Sequence, residues 1–254
     1  MREYTDKEYI ELVEKTVDPI LQKHMQTETE EILRVETPQD KTFIDLGAGH
    51  GRVLLTLAKI ARNVISIELN PEMLPELKRR TEQFQNAEMI VGDMTKLSEI
   101  LRDKDVKNPV LLLLQNTLGT IEGEWEKVLS EMKKIAQENH GEIIISFFRS
   151  EALSSWGVSK LYPSVSKMVG EPDLEKTDFE KGVFVSKTRY SSKWRSKEEI
   201  EEIKQFFQGE LVNEIWTNEF CVLHIKYHRP EGTSSLLSVA TTPLRSPPFS
   251  RRDV

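Results

Sequence analysis

The chain has 254 residues, 30% of them charged and 38% apolar, with a net charge of −7. That length suits one α/β domain with room for an insertion. The acidic balance argues against a dedicated nucleic-acid binder, and the longest apolar stretch, Val110 to Leu114, is too short to cross a membrane.

Met1 to Asp6 is charged and has no apolar core, so no signal peptide is expected. Thr5 and Glu8 form a capping-box pattern, and Ile10, Val13 and Val17 follow at helical spacing. Asp18-Pro19 reads as a cap with proline at the first helical position. The helix that starts there carries Ile20, Leu21, His24, Ile32 and Leu33 and ends before Thr37-Pro38. From Thr42, strands and helices alternate: strand 42–46, helix 50–61, strand 63–68, a helix behind Asn70-Pro71, and strand 87–91. A short helix near 95–102, strand 109–115, helix 124–139 and strand 142–148 come next. Strands that are almost wholly apolar belong in a parallel sheet buried on both faces. Residues 149–182 break the alternation and read as loop or irregular helix. The stretch 183–190 alternates enough for one added strand. Ser196 and Glu199 cap a helix that ends at Gly209, and strands 211–217 and 220–227 close as an antiparallel hairpin. Cys221, the single cysteine, lies in the last strand and reads as core. With no disulfide possible within the chain, a cytoplasmic location is the default expectation.

The expected fold is therefore α/β: a doubly wound, mostly parallel seven-stranded sheet with an antiparallel final hairpin, N-terminal helices and an insertion after strand five. The expected organisation is an N-terminal helical cap over 1–37 and a main domain over 38–229, with its insertion at 149–195. A flexible tail is expected over 230–254, where serine, proline and arginine replace periodic apolar residues.

Residues 43–51 read Phe-Ile-Asp-Leu-Gly-Ala-Gly-His-Gly, and Val64-Ile65-Ser66-Ile67-Glu68 follows. The pair resembles the first two signature motifs of class I S-adenosylmethionine-dependent methyltransferases. The dinucleotide fingerprint needs Gly-x-Gly-x-x-Gly, and here the third glycine comes one residue too early. The resemblance covers roughly 40–228 and implies S-adenosylmethionine as cofactor. The implied cofactor-binding residues are Asp45, Gly47, Ala48, Gly49, Gly51, Glu68, Leu69, Asp93, Met94, Gln115 and Asn116. Glu68 is expected to accept both ribose hydroxyls. Asp93 is expected to accept the adenine amino group, the alternative being a cap for the helix near Leu97. The N-terminal helices either cover the cofactor or merely pack on the sheet edge.

Gln115-Asn116-Thr117-Leu118-Gly119-Thr120 follows strand four, where methyltransferases face the transferred methyl group. It lacks the Asn-Pro-Pro-Tyr pattern that flanks exocyclic amines of nucleobases. Asn116 and Tyr190 are the candidate catalytic residues. Arg149, Trp156, Tyr162 and Trp194 are further candidates for the mouth of the site, where aromatic faces favour a cationic or amine acceptor. No metal is expected, because His24, His50, His140, His224 and His228 match no metal-site pattern. The function expected is methyl transfer to a small molecule, at nitrogen, with no membrane partner and nucleic acid disfavoured. A protein or RNA methyltransferase and a catalytically silent cofactor-binding subunit remain as alternatives.

Overall fold

Unbroken apolar runs such as Val110–Leu113 have no polar face to turn to water, and every residue of that strand is buried. The computed structural model describes residues 10–121 and 123–228. Its strands are Thr42–Leu46 (β1), Asn63–Glu68 (β2), Ala87–Val91 (β3), Val110–Leu113 (β4), Glu142–Phe148 (β5), Val183–Val185 (β6), Ser191–Lys193 (β7), Glu210–Trp216 (β8) and Phe220–Lys226 (β9). Its helices are Pro19–Leu33 (α1), Leu54–Ile60 (α2), Leu74–Thr81 (α3), Leu97–Ile100 (α4), Trp125–Glu138 (α5), Tyr162–Ser164 (α6), Ser166–Val169 (α7) and Lys197–Phe207 (α8).

Seven strands form one sheet in the order β3-β2-β1-β4-β5-β9-β8. The first five pair in parallel, and β9 joins β5 and β8 antiparallel. The expected fold is the one observed. Alternate strand residues feed two cores. Phe43, Val64, Val110 and Leu112 pack with Ile32 of α1, Leu54 and Leu57 of α2, and the insertion. Ile44, Ile65, Leu111 and Leu113 pack with Leu97, Leu129, Met132 and Ile203 on the other face. The chain leaves β1 toward β2 on one side and enters β4 on the other. A crevice therefore opens beyond the carboxyl ends of β1 and β4, where open α/β sheets hold ligands.

Two local expectations change. Ile10–Glu14 forms a single π-helical turn, and Val17 is 92% exposed, so the helical spacing of Ile10, Val13 and Val17 does not build one continuous helix. Thr5 and Glu8, and the tail over 230–254, lie outside the described residues. The second helix starts as expected: the Asp18 carboxylate accepts from the N–H groups of Ile20 and Leu21, both at 2.9 Å. In the insertion, Leu153–Leu161 winds as π-helix before the short α6 and α7. The single strand expected over 183–190 is instead a two-stranded ribbon, β6 with β7, separate from the main sheet. Side chains turn the chain there: the Ser186 hydroxyl accepts from Tyr190 N–H at 3.1 Å, and Arg189 is left-handed at φ 68°.

Candidate functional site

The glycine turn after β1 forms the floor of the crevice. Gly47 and Gly49 have φ of 67° and 57°, a region that glycine adopts without strain. A side chain on Gly47 would strike Thr117, whereas the space above Gly49 is open. Glu68, at the end of β2, turns its buried carboxylate toward this floor. It accepts from the N–H groups of Gly49 at 2.7 Å, Leu69 at 2.8 Å and Asn70 at 2.7 Å. The two motifs are thus stapled together through one side chain. Asp45 is buried beside them. Burial pushes its carboxyl up to about 7; the Arg52 cation opposes this, while Glu68 and Glu28 add to it.

The N-terminal elements reach into the same place. Glu14 accepts from His50 at 2.6 Å and Arg80 at 3.3 Å, fastening the first turn onto the glycine loop. The His50 hydrogen bond is the main reason that the Glu14 carboxyl is held down at about 2; burial opposes it and Arg80 assists. Glu28 of α1 is fully buried. Its carboxylate pairs with Arg52 and accepts from Gln115 N–H at 2.6 Å and the Ser146 hydroxyl at 2.5 Å. His24 lies 3.3 Å away on the same helix face, with its ring between Phe148 and Phe220. Burial holds His24 below the ordinary histidine range, although Glu28 pulls upward. Sequence reasoning missed Glu28. The available signal was its place four residues after His24, on the inner stripe of α1.

After β4 two consecutive residues are left-handed, Gln115 at φ 52° and Asn116 at φ 57°. Such residues are sparse in folded chains and collect at functional turns. The Asn116 side chain is 1% exposed and engaged with protein groups. Its amide donates to Ser192 Oγ at 3.2 Å and Lys193 O at 3.1 Å, and its carbonyl accepts from Phe148 N–H at 3.1 Å. It ties the turn to β5 and to the ribbon.

A cavity of about 560 Å³ occupies the crevice. It brings together Asp45, Gly47, Ala48, Gly49, Glu68, Leu69, Met94, Gln115, Asn116 and Tyr190. Gly51 and Asp93 stand outside its wall. A side chain on Gly51 would press on Leu77 and Leu54, and its φ is 85°. Asp93 accepts from Thr95 N–H at 2.9 Å and caps the turn that carries Met94. Of the other aromatic candidates, Tyr162 lines the cavity. Trp156 and Trp194 are buried behind it, 5.4 Å apart, and Trp194 Nε1–H donates to Tyr162 Oη at 2.7 Å. Arg149 is also elsewhere: it donates to Thr217 O and stacks over Trp216. No helix among the described residues is long and apolar enough to cross a membrane.

Residues 38–208 match a protein family described as a methyltransferase domain. Over 72 residues the chain is 39% identical to the probable ribosomal RNA small subunit methyltransferase A of Methanosarcina acetivorans, a match covering 28% of this chain and 26% of that protein. The chain thus spans about a quarter of the length of the curated relatives it matches. The crystal structure of the PH0226 protein from Pyrococcus horikoshii OT3 superposes with a TM-score of 0.60 at 17% identity, covering 89% of this chain and 95% of that one. The 1,6-didemethyltoxoflavin-N1-methyltransferase of Burkholderia thailandensis, solved with its substrate and S-adenosylhomocysteine, superposes with a TM-score of 0.53 at 11% identity, covering 88% and 87%. These structural likenesses establish a shared fold.

Proposed function

The chain belongs to the S-adenosylmethionine-dependent methyltransferases, and from that premise we propose that it methylates a small molecule at nitrogen. The observation that carries this reading is the make-up of the cavity wall. Val13 and Leu21 from the N-terminal elements and Leu161 to Val169 from the insertion roof the crevice above the glycine turn. A chamber of about 560 Å³ lies in the range of about 300–1,000 Å³ usual for small-ligand sites.

The residues present fit the cofactor. The open space above Gly49 lets the backbone approach a ligand, and Glu68 offers a carboxylate at the same spot. In the proposed complex Glu68 takes the ribose hydroxyls, and Gly47, Ala48 and Gly49 lie along the methionine part beside Asp45. Leu69 and Met94 pack on the adenine. Asp93 acts through the turn it caps, by setting Met94 against the cavity, and Gly51 supports the turn from behind. The cofactor supplies a methyl group already activated by a sulfonium, so the protein's part is to align the acceptor and exclude water. Gln115 and the turn that Asn116 holds face that alignment, and Tyr190 borders the acceptor space.

An RNA acceptor is the second reading, favoured by the names of the curated relatives. The acidic net charge and the sequence Gln115-Asn116-Thr117-Leu118 after β4 support the small molecule instead. Calorimetry with S-adenosylhomocysteine tests the cofactor. Incubation with methyl-labelled S-adenosylmethionine, in parallel with a metabolite extract and with ribosomal RNA, tests the acceptor. Label appearing only in RNA would overturn the small-molecule reading. Binding without any turnover would favour a silent subunit.

A further inference from the structure

The cavity wall is divided by chemistry. Its acidic and basic side chains, Asp45, His50, Arg52 and Glu68, all belong to the glycine turn, the residue just after it and the ends of β1 and β2. The part built by the insertion and the ribbon carries no formal charge among the described residues, and its larger members are Leu161, Tyr162, Met168, Val169 and Tyr190. Ser192 is its polar member, and that hydroxyl already accepts from Asn116.

Two consequences follow for an acceptor placed there. A formally charged group would lose its hydration and meet no counter-charge, which disfavours it. An acceptor that must shed a proton would find no carboxylate or imidazole on this part of the wall, where the titratable side chains are Tyr162 and Tyr190. Burial pushes the Tyr190 hydroxyl up to about 12 and the Tyr162 hydroxyl well above the ordinary tyrosine value, so both stay protonated. The aromatic walls are also fixed in place. Tyr162 stacks on Phe184 with ring centres 3.4 Å apart, and Tyr190 stands at 61° to Tyr162.

We propose that the acceptor is an uncharged, flat heteroaromatic base methylated on a ring nitrogen, an inference that rests on the methyltransferase reading above. A ring nitrogen of this kind presents a lone pair and has no proton to lose. The lone pair forms the new nitrogen–carbon bond as the carbon–sulfur bond breaks, and the electrons of that bond return to sulfur. The positive charge passes from sulfonium to ring, with no proton released and no other reactant required. Tyr162, Tyr190 and Phe148 line the cavity in which this cation would form, and aromatic rings beside a developing positive charge favour the transition state over the uncharged reactant. An aliphatic amine is a poorer fit, because it is protonated at neutral pH and would have to be both desolvated and deprotonated. A phenol is poorer because it needs a base.

Quinoline, 2-naphthol and 2-naphthylmethylamine are flat bicyclic compounds of similar size that differ in their nucleophile. The full-length protein is first titrated with S-adenosylhomocysteine. The loaded protein is then titrated at neutral pH with each probe and with a single-stranded RNA oligonucleotide. Quinoline is expected to bind at least about tenfold more tightly than the amine, as desolvating an unpaired charge demands. With labelled S-adenosylmethionine, the label is expected in N-methylquinolinium. Tighter binding of the amine or the RNA, or methylation of 2-naphthol at the rate of quinoline, would overturn the proposal. So would binding of S-adenosylhomocysteine with no binding of quinoline, which leaves the methyltransferase reading intact. Failure to bind S-adenosylhomocysteine would overturn that reading itself.

Discussion

Glu28 accepts the backbone N–H of Gln115 at 2.6 Å although 87 positions separate the two residues. The bond joins the N-terminal helix to the left-handed turn of Gln115 and Asn116 after β4. The same carboxylate pairs with Arg52 behind the glycine loop and accepts from Ser146 on β5. One buried acid therefore ties the glycine loop, the turn after β4 and strand β5 together.

Removing that acid leaves Arg52, Gln115 N–H and Ser146 without their shared partner. Breaking a buried charge pair from one side costs about 3–5 kcal/mol. Glu28→Ala is expected to lose about that much in urea unfolding. Glu28→Gln, which keeps an acceptor oxygen, is expected to lose less. A Glu28→Ala variant as stable as the parent chain would show that the cluster holds nothing together.

Glu68 serves two ends at once. It staples the glycine turn through Gly49 N–H, and it is the proposed ribose partner. Glu68→Ala is expected to weaken S-adenosylhomocysteine binding about ten- to a hundredfold, or about 1.5–3 kcal/mol for a lost charge-assisted contact. Calorimetry reads this directly, and unchanged affinity would remove Glu68 from the ribose role.

Asp45 makes a pH prediction with a definite sign. Its folded-state carboxyl is raised from 3.8 to about 7 by burial, so between those values the folded chain binds more protons than the unfolded chain. Its contribution to stability is fully present below about 3.8 and is lost as pH rises through about 7. Asp45→Asn removes that dependence. The difference in melting temperature between the two proteins, followed across this window, is expected to shift in favour of Asp45→Asn as pH rises. A difference that stays flat would show that Asp45 titrates at its ordinary value.

The central strands were legible because apolar runs such as Val110 to Leu114 permit only two-sided burial, and strand five was read as 142–148, the bounds observed. The capping box of Ser196 and Glu199 was equally plain, since both of its hydrogen bonds are local. The insertion was legible only as loop or irregular helix. Its π-helical turns depend on packing of Trp156 and Trp194, contacts 38 residues apart that no local pattern encodes. In the site, the motif residues Gly47, Gly49 and Glu68 were legible because the backbone itself demands them. Glu28 was hidden because a glutamate on a helix ordinarily reads as solvent-facing. For Asn116 the place after β4 was visible in the sequence, but its engagement with Ser192, Lys193 and Phe148 was not.

Asn116 and Tyr190 test how the acceptor side is built. Asn116 holds the ribbon through Ser192 and Lys193, and the ribbon sets Tyr190 against the cavity. The two residues therefore act in series: one positions the wall and the other is part of it. Asn116→Ala and Tyr190→Ala are each expected to lower the single-turnover rate of methyl transfer while changing S-adenosylhomocysteine affinity by less than about threefold, because a group that acts only on the acceptor adds little to cofactor binding. Residues coupled in this way are not additive. The double variant is expected to be no slower than the slower single variant by more than about threefold, since losing Tyr190 removes most of what Asn116 supports. Fully multiplicative losses would show that Asn116 contributes to the reaction independently of the ribbon. A large loss of cofactor affinity in both single variants would move the acceptor space away from this wall.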